Sequence, residues 1–117
     1  MNKEPYGTFC ELFGATPKNR ILEEYFTFGK GDYPINGIAE NTGVKKSTAY
    51  KIATELINKG YLLPTRKIGG MQFYKLNQEN PDIQLLLQID KLILQQLGKA
   101  YEQQFKKTEL VTIRKSN

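Results

Sequence analysis

The sequence predicts a mainly α fold with one small β-hairpin and a long C-terminal helix. Three observations carry that prediction. Apolar residues recur at three- and four-residue spacing along most of the chain, two short strand-like runs flank the pair Gly69-Gly70, and a periodic stretch continues for more than twenty residues after Asn80-Pro81. At 117 residues there is room for one domain, and a content of 39% hydrophobic and 25% charged residues is that of a folding globular chain rather than a disordered one. The absence of a signal peptide and of a long apolar run predicts a cytoplasmic protein without a membrane partner.

Residues 1–15 read as an N-terminal arm, with an apolar side made of Tyr6, Phe9, Leu12 and Phe13. The lone cysteine, Cys10, leaves no intramolecular disulfide to form, and its apolar neighbours predict a packed, inert thiol. Thr16-Pro17 then has the composition of a helix start, with Thr16 as N-cap and proline where its missing N–H costs nothing. That helix runs to about Phe28, with Ile21, Leu22, Tyr25, Phe26 and Phe28 marking one buried face, and the turn Gly29-Lys30-Gly31-Asp32 ends it. A short helix follows from Asn36, carrying Ile38, Ala39 and Glu40, and Thr42-Gly43 closes it.

A third helix is expected from about Lys46 to Lys59, stopped by Gly60. Ala49, Ile52, Ala53 and Leu56 stand on one face of it, which leaves Ser47, Lys51, Thr54 and Asn58 opposite and Tyr50 and Glu55 on the flanks. Ala39 is small where two helices cross, Gly43 permits a tight turn, and Val44 plugs the corner, so Ile35 to Gly60 meets the demands of a helix-turn-helix. The outward side chains are of the kind that hydrogen-bond phosphates and base edges. Lys45 and Lys46 stand at the start of this helix, where the helix dipole disfavours cations and a capping Ser, Thr, Asp or Asn is preferred. A bound phosphate would use both the free amides and the ammonium groups, whereas the bland alternative is a solvated basic turn.

Leu62 to Lys67 and Met71 to Leu76 form the hairpin strands about Gly69-Gly70. Arg66, Lys67, Gln72 and Lys75 give this ribbon a second surface suited to phosphates or a minor groove, the alternative being lysines that merely guard strand edges. Charge concentrates here. From Lys45 to Lys75 seven basic residues face a single acid, Glu55, and the chain as a whole carries a formal +5 with a pI near 9.3. The expected partner is therefore double-stranded DNA, contacted through Lys45, Lys46, Ser47, Tyr50, Lys51, Thr54, Asn58, Arg66, Lys67, Gln72 and Lys75.

IAENTGVKKSTAYKIATELINKGYL, followed by a hairpin ending in FYKLN, resembles the winged helix-turn-helix transcriptional regulators of bacteria and archaea, of the broad PadR-like and MarR-like kind. The resemblance covers about half the chain, from Thr16 to Asn77, and implies DNA binding through Lys46 to Asn58 and a wing over Arg66 to Lys75. Lys45 stands where such proteins often place a capping serine. On this reading residues 16–79 are the DNA-binding domain, 80–107 a C-terminal dimerisation helix and 108–117 a basic tail.

In the C-terminal helix one row, Leu86, Ile89, Ile93, Leu97 and Ala100, has the spacing of a seam, and Leu87, Leu94, Tyr101 and Phe105 widen the apolar surface to another side. A helix apolar on two sides requires two partners, here its own domain and a second copy of the chain. Leu86, Ile89, Ile93, Leu97, Ala100 and Tyr101 are the expected homodimer contacts, the alternative being a helix folded back over one domain. The chain has no histidine, no metal-ligand spacing and no phosphate-cradling glycine loop. Neither an enzyme nor a cofactor is expected. The reading is a dimeric regulator that represses by occluding a promoter. A plasmid or viral replication or partition protein, and a winged-helix interaction module without DNA, stand as alternatives.

Overall fold

The computed structural model describes the backbone of residues 6–116 and the side chains of residues 6–100. Helices α1 (Thr8–Phe13) and α2 (Pro17–Phe28) precede the two-residue strand β1 (Tyr33–Pro34). Helices α3 (Ile35–Thr42) and α4 (Lys46–Asn58) follow, then strands β2 (Leu62–Ile68) and β3 (Met71–Leu76) and the long helix α5 (Pro81–Ser116). The strands form an antiparallel sheet in the order β1-β3-β2. This is a winged helix with an added C-terminal helix, as the sequence predicts.

Local chemistry sets most of the boundaries. The Thr16 hydroxyl accepts from Asn19 N at 3.1 Å, satisfying one of the free amides that open α2. Gly43 ends α3 at φ 74°, a left-handed conformation that a Cβ would oppose, and its turn sets α4 across α3. Asn80 caps α5, its Oδ1 accepting from Asp82 N at 2.8 Å. The Asn77 and Asn80 amides both donate to Gly60 O, so one carbonyl at the end of α4 anchors the start of α5.

The core lies between α2, α3, α4 and the sheet. Ile21, Leu22 and Tyr25 of α2, Ile35 and Ile38 of α3, Ala49, Ala53 and Leu56 of α4, and Leu62, Leu76 and Ile83 are all buried. Ala39, Ala49 and Ala53 are small where helices approach one another, and Val44 fills the corner of the turn. The hydroxyl of the buried Tyr25 donates to Tyr33 O at 3.2 Å, joining α2 to β1.

The structure departs from the expectations at Phe28, which is exposed at the end of α2 rather than buried, and at the start of α3, and it adds an edge strand and the structure of the arm and tail, which the sequence left open. The arm contains a helix, α1, because the Glu23 carboxylate of α2 reaches across to accept from Gly7 N at 2.8 Å and Cys10 N at 2.9 Å. Only Phe9 and Cys10 of this helix are buried, while Leu12 and Phe13 are exposed. Strand β1 exists because Tyr33 and Pro34 pair with Tyr74 and Phe73 of β3, proline being tolerated at the sheet edge. Helix α3 begins one residue earlier than expected, with Pro34 at its N-cap. The backbone of α5 stays helical through Ser116, so the basic segment 108–116 continues the helix.

Candidate nucleic-acid interface

The start of α4 is exposed and lacks a side-chain cap. Lys45 occupies the N-cap position with φ −57° and ψ 139°, and no side chain accepts from the first amides of the helix there. Those N–H groups carry the positive end of the helix dipole, and Lys45 and Lys46 add two ammonium groups beside them. Along the same helix Ser47, Tyr50, Lys51, Thr54 and Asn58 are all exposed, while Ala49, Ala53 and Leu56 are buried against the core. The division of faces expected from the spacing is the one observed.

Two of the outward side chains are pre-set by neighbours. The Tyr50 hydroxyl donates to Asn36 Oδ1 at 2.7 Å, which fixes the ring between α4 and the start of α3. Thr54 donates its hydroxyl back to Tyr50 O at 2.9 Å, a bond within the helix that engages the hydroxyl. The one acid of the basic stretch is neutralised from behind. Glu55 Oε2 lies 2.7 Å from Lys18 Nζ and 3.3 Å from Lys59 Nζ, and hydrogen bonds from Lys18 first and Lys59 second hold its carboxyl below the usual range.

The wing presents its candidates on two sides. Cross-strand partners share a face of the sheet, so Lys67 and Gln72, which pair, lie together, and Leu63 and Lys75 lie together on the other face. Tyr50, Asn36, Gln72, Tyr74 and the turn Gly69-Gly70 line a cleft of about 290 Å³ between α4 and the wing. Lys75 instead borders a separate cleft with Lys30, Leu63 and Gln78, and so is not brought to α4.

Arg66 is already engaged. Its Nε and Nη2 donate to Asp32 at 2.9 and 3.1 Å, Thr65 donates to the same carboxylate at 2.6 Å, and the guanidinium lies 5.0 Å from the Phe73 ring centroid. The bonds from Arg66 and then Thr65 hold the Asp32 carboxyl below its ordinary value. The irregular register between Pro64 and Lys67 turns these two side chains toward Asp32. Gln72 also serves the wing itself, its Nε2 donating to Arg66 O at 3.1 Å and Phe73 O at 3.0 Å. Asn36, Asp32 and Lys18 thus shape this surface although no local pattern marks them. They lie 14, 34 and 37 residues from the partners Tyr50, Arg66 and Glu55.

On α5 the expected seam divides. Leu86 and Leu87 pack against the domain's own core. Ile89 and Ile93 are half-buried and, with Leu12 of α1 and Leu92, line an open apolar groove of about 340 Å³. Leu97 and Ala100 are exposed, as are Leu85 and Leu94 outside the expected seam. The Tyr101 side chain lies outside the described residues. Among those described, no cluster of three His, Cys, Asp or Glu residues is placed to hold a metal ion, and no helix is long and apolar enough to cross a membrane.

No family model matches the chain, and no curated protein matches it. Among solved structures, the chain is similar to the crystal structure of a possible transcriptional regulatory protein, fragment 1–100, from Mycobacterium bovis. The two are 19% identical, the match covers 76% of this chain and 97% of that one, and the TM-score is 0.49. At this level of likeness nothing about function passes between them.

Proposed function

We propose that the chain is a regulator of transcription that binds double-stranded DNA as a homodimer, with α4 in the major groove and the β2–β3 wing on the adjoining backbone or minor groove. One observation carries the reading. The exposed start of α4 combines uncapped amides with Lys45 and Lys46, an arrangement that costs helix stability and is repaid by a phosphate. The pairing of Glu55 with Lys18 and Lys59 supports it further, since the one acid of the basic stretch is already engaged with two cations. Exposed leucines on α5 supply a surface for the second copy, and two copies would present their recognition helices to successive major grooves about 34–36 Å apart. Binding across a promoter would then occlude it.

Fluorescence anisotropy of labelled duplexes across a salt series tests the reading. The wild-type chain is expected to bind with an affinity that falls steeply with salt. Lys46→Ala and Lys51→Ala should each lower the salt slope by about 0.9, the value for one phosphate contact. An unchanged affinity and slope in both variants would sink the DNA reading. An interaction module without DNA gives the same lysines no task.

A further inference from the structure

Apart from Phe28, whose ring centroid is 4.4 Å from that of Tyr33, the exposed large apolar side chains after α1 and before α5 collect in one place. Ile68 is 50% exposed and Met71 40% exposed at the tip of the wing, and Tyr50 is 47% exposed on the facing helix. Ile68 and Met71 are direct cross-strand partners, the last pair before the turn. The turn itself is Gly69-Gly70, with φ 56° and 79°, the two left-handed residues that the tightest hairpin requires. The tip is therefore narrow, without side chains at its apex, and apolar on one face.

The charges of the wing are arranged around this tip rather than on it. Arg66 is turned back onto Asp32 and Phe73, while Lys67 precedes Ile68 and stays exposed. A solvent-facing hairpin needs no isoleucine and methionine at its end, and charged side chains there would guard the edge better. An apolar pair on a thin support flanked by lysine is the form of a wedge that enters a minor groove and parts two stacked bases.

We infer that Ile68 and Met71 form such a wedge, inserted between base pairs at a deformable step of a DNA duplex in the minor groove beside the major groove held by α4. The inference rests on the DNA-binding reading above and adds a distortion of the duplex to it. The cleft between α4 and the wing fits this placement. Where one protein element fills the major groove and another the neighbouring minor groove, a sugar-phosphate strand runs between them, and the cleft there is lined by Asn36, Tyr50, Gln72, the two turn glycines and Met71 itself. Deformable steps are TA and CA/TG, so the wing would select sequence through ease of unstacking rather than through base-edge hydrogen bonds.

The test uses the full chain and duplexes selected by it from a random-sequence pool. Each flexible step of the selected site carries 2-aminopurine in turn, and dyes at the duplex ends report bending by energy transfer. Wild-type binding is expected to raise the 2-aminopurine fluorescence several-fold at one step and to bend the duplex by roughly 20–90°. The double variant Ile68→Thr, Met71→Thr keeps β-forming side chains at both positions and removes most of the wedge. It should lose the fluorescence rise and the bend, bind roughly tenfold more weakly, about the effect of one mismatched base pair, and keep the wild-type salt slope. The wedge is overturned if the double variant unstacks and bends the duplex like wild type, or if wild type binds with a steep salt slope yet unstacks no step. Absence of any duplex binding would remove the DNA reading and the wedge together.

Discussion

Lys45 is a poor residue for the place it holds. A serine there would accept from the amide of Ser47 or Thr48 and cap α4, and the positive charge would no longer oppose the helix dipole. Lys45→Ser should therefore stabilise the fold by about 1 kcal/mol, raising the melting temperature by about 4 °C, while weakening duplex binding and lowering its salt slope. A variant that melts higher and binds as before would show that Lys45 contributes nothing to recognition. Cys10 is the opposite kind of residue, fitted to its place and silent. Burial first and the Glu23 carboxylate second push its thiol up to about 12, so almost no thiolate exists near neutrality. In iodoacetamide at pH 8 the folded chain should stay unlabelled, and unfolding in denaturant should expose one reactive thiol. Thr54 of α4 is legible as outward, and Tyr50 as flanking, from helical spacing alone. Their partners are not, because Asn36 meets Tyr50 only after the chain has turned back on itself.

At the scale of elements, the boundaries that could be read were those written in adjacent residues. Thr16-Pro17, Gly43 and Asn80-Pro81 each satisfy or end a helix through groups within a few residues, and each acts as expected. Helix α1 and strand β1 depend instead on Glu23 and on β3, which no local pattern connects to them. The tie from Asp32 to the wing is of the same distant kind, and it carries a prediction. Its carboxyl is held below the ordinary value of 3.8, so its contribution is present at neutral pH and is lost only as pH falls through the lowered value. Asp32→Ala should accelerate amide exchange in β2 around Thr65 and Arg66 at pH 7, while exchange in α4 remains as in the wild type. The difference between variant and wild type should close in acid below the ordinary carboxylate range. Equal exchange in the wing at pH 7 would mean that the Arg66 and Thr65 contacts do not hold the strand.

At the scale of the whole molecule, α5 is longer than its own domain can cover. Ile83 is fully buried and Leu86 and Leu87 pack on the core, yet Leu92 is 60% and Leu97 54% exposed further along. Apolar spacing in the sequence showed that the helix has surplus surface, but not where its own domain stops using it. A dimer should therefore sediment at twice the 13.4 kDa of one chain. Leu92→Glu with Leu97→Glu should yield a monomer with an unchanged melting profile at low concentration and duplex affinity lower by at least tenfold, since two linked half-sites become one. A wild-type chain that stays monomeric at tens of micromolar, by order of magnitude, would refute the dimer.

The bond from Asp32 has a consequence for how such a protein can change over time. It fastens the hairpin to the stretch after α2, whereas α4 is fastened by the core through Ala49, Ala53 and Leu56. The base of the hairpin shares the support of α4, since Leu62 and Leu76 lie in the same core, but its outer part beyond Pro64 is tied to Asp32 instead. Substitutions at the tip can accumulate in a lineage without shifting the helix, and the reverse holds equally. Preference for a target would then be inherited in two separable parts, and chimaeras that exchange only residues 65–72 between relatives should still fold.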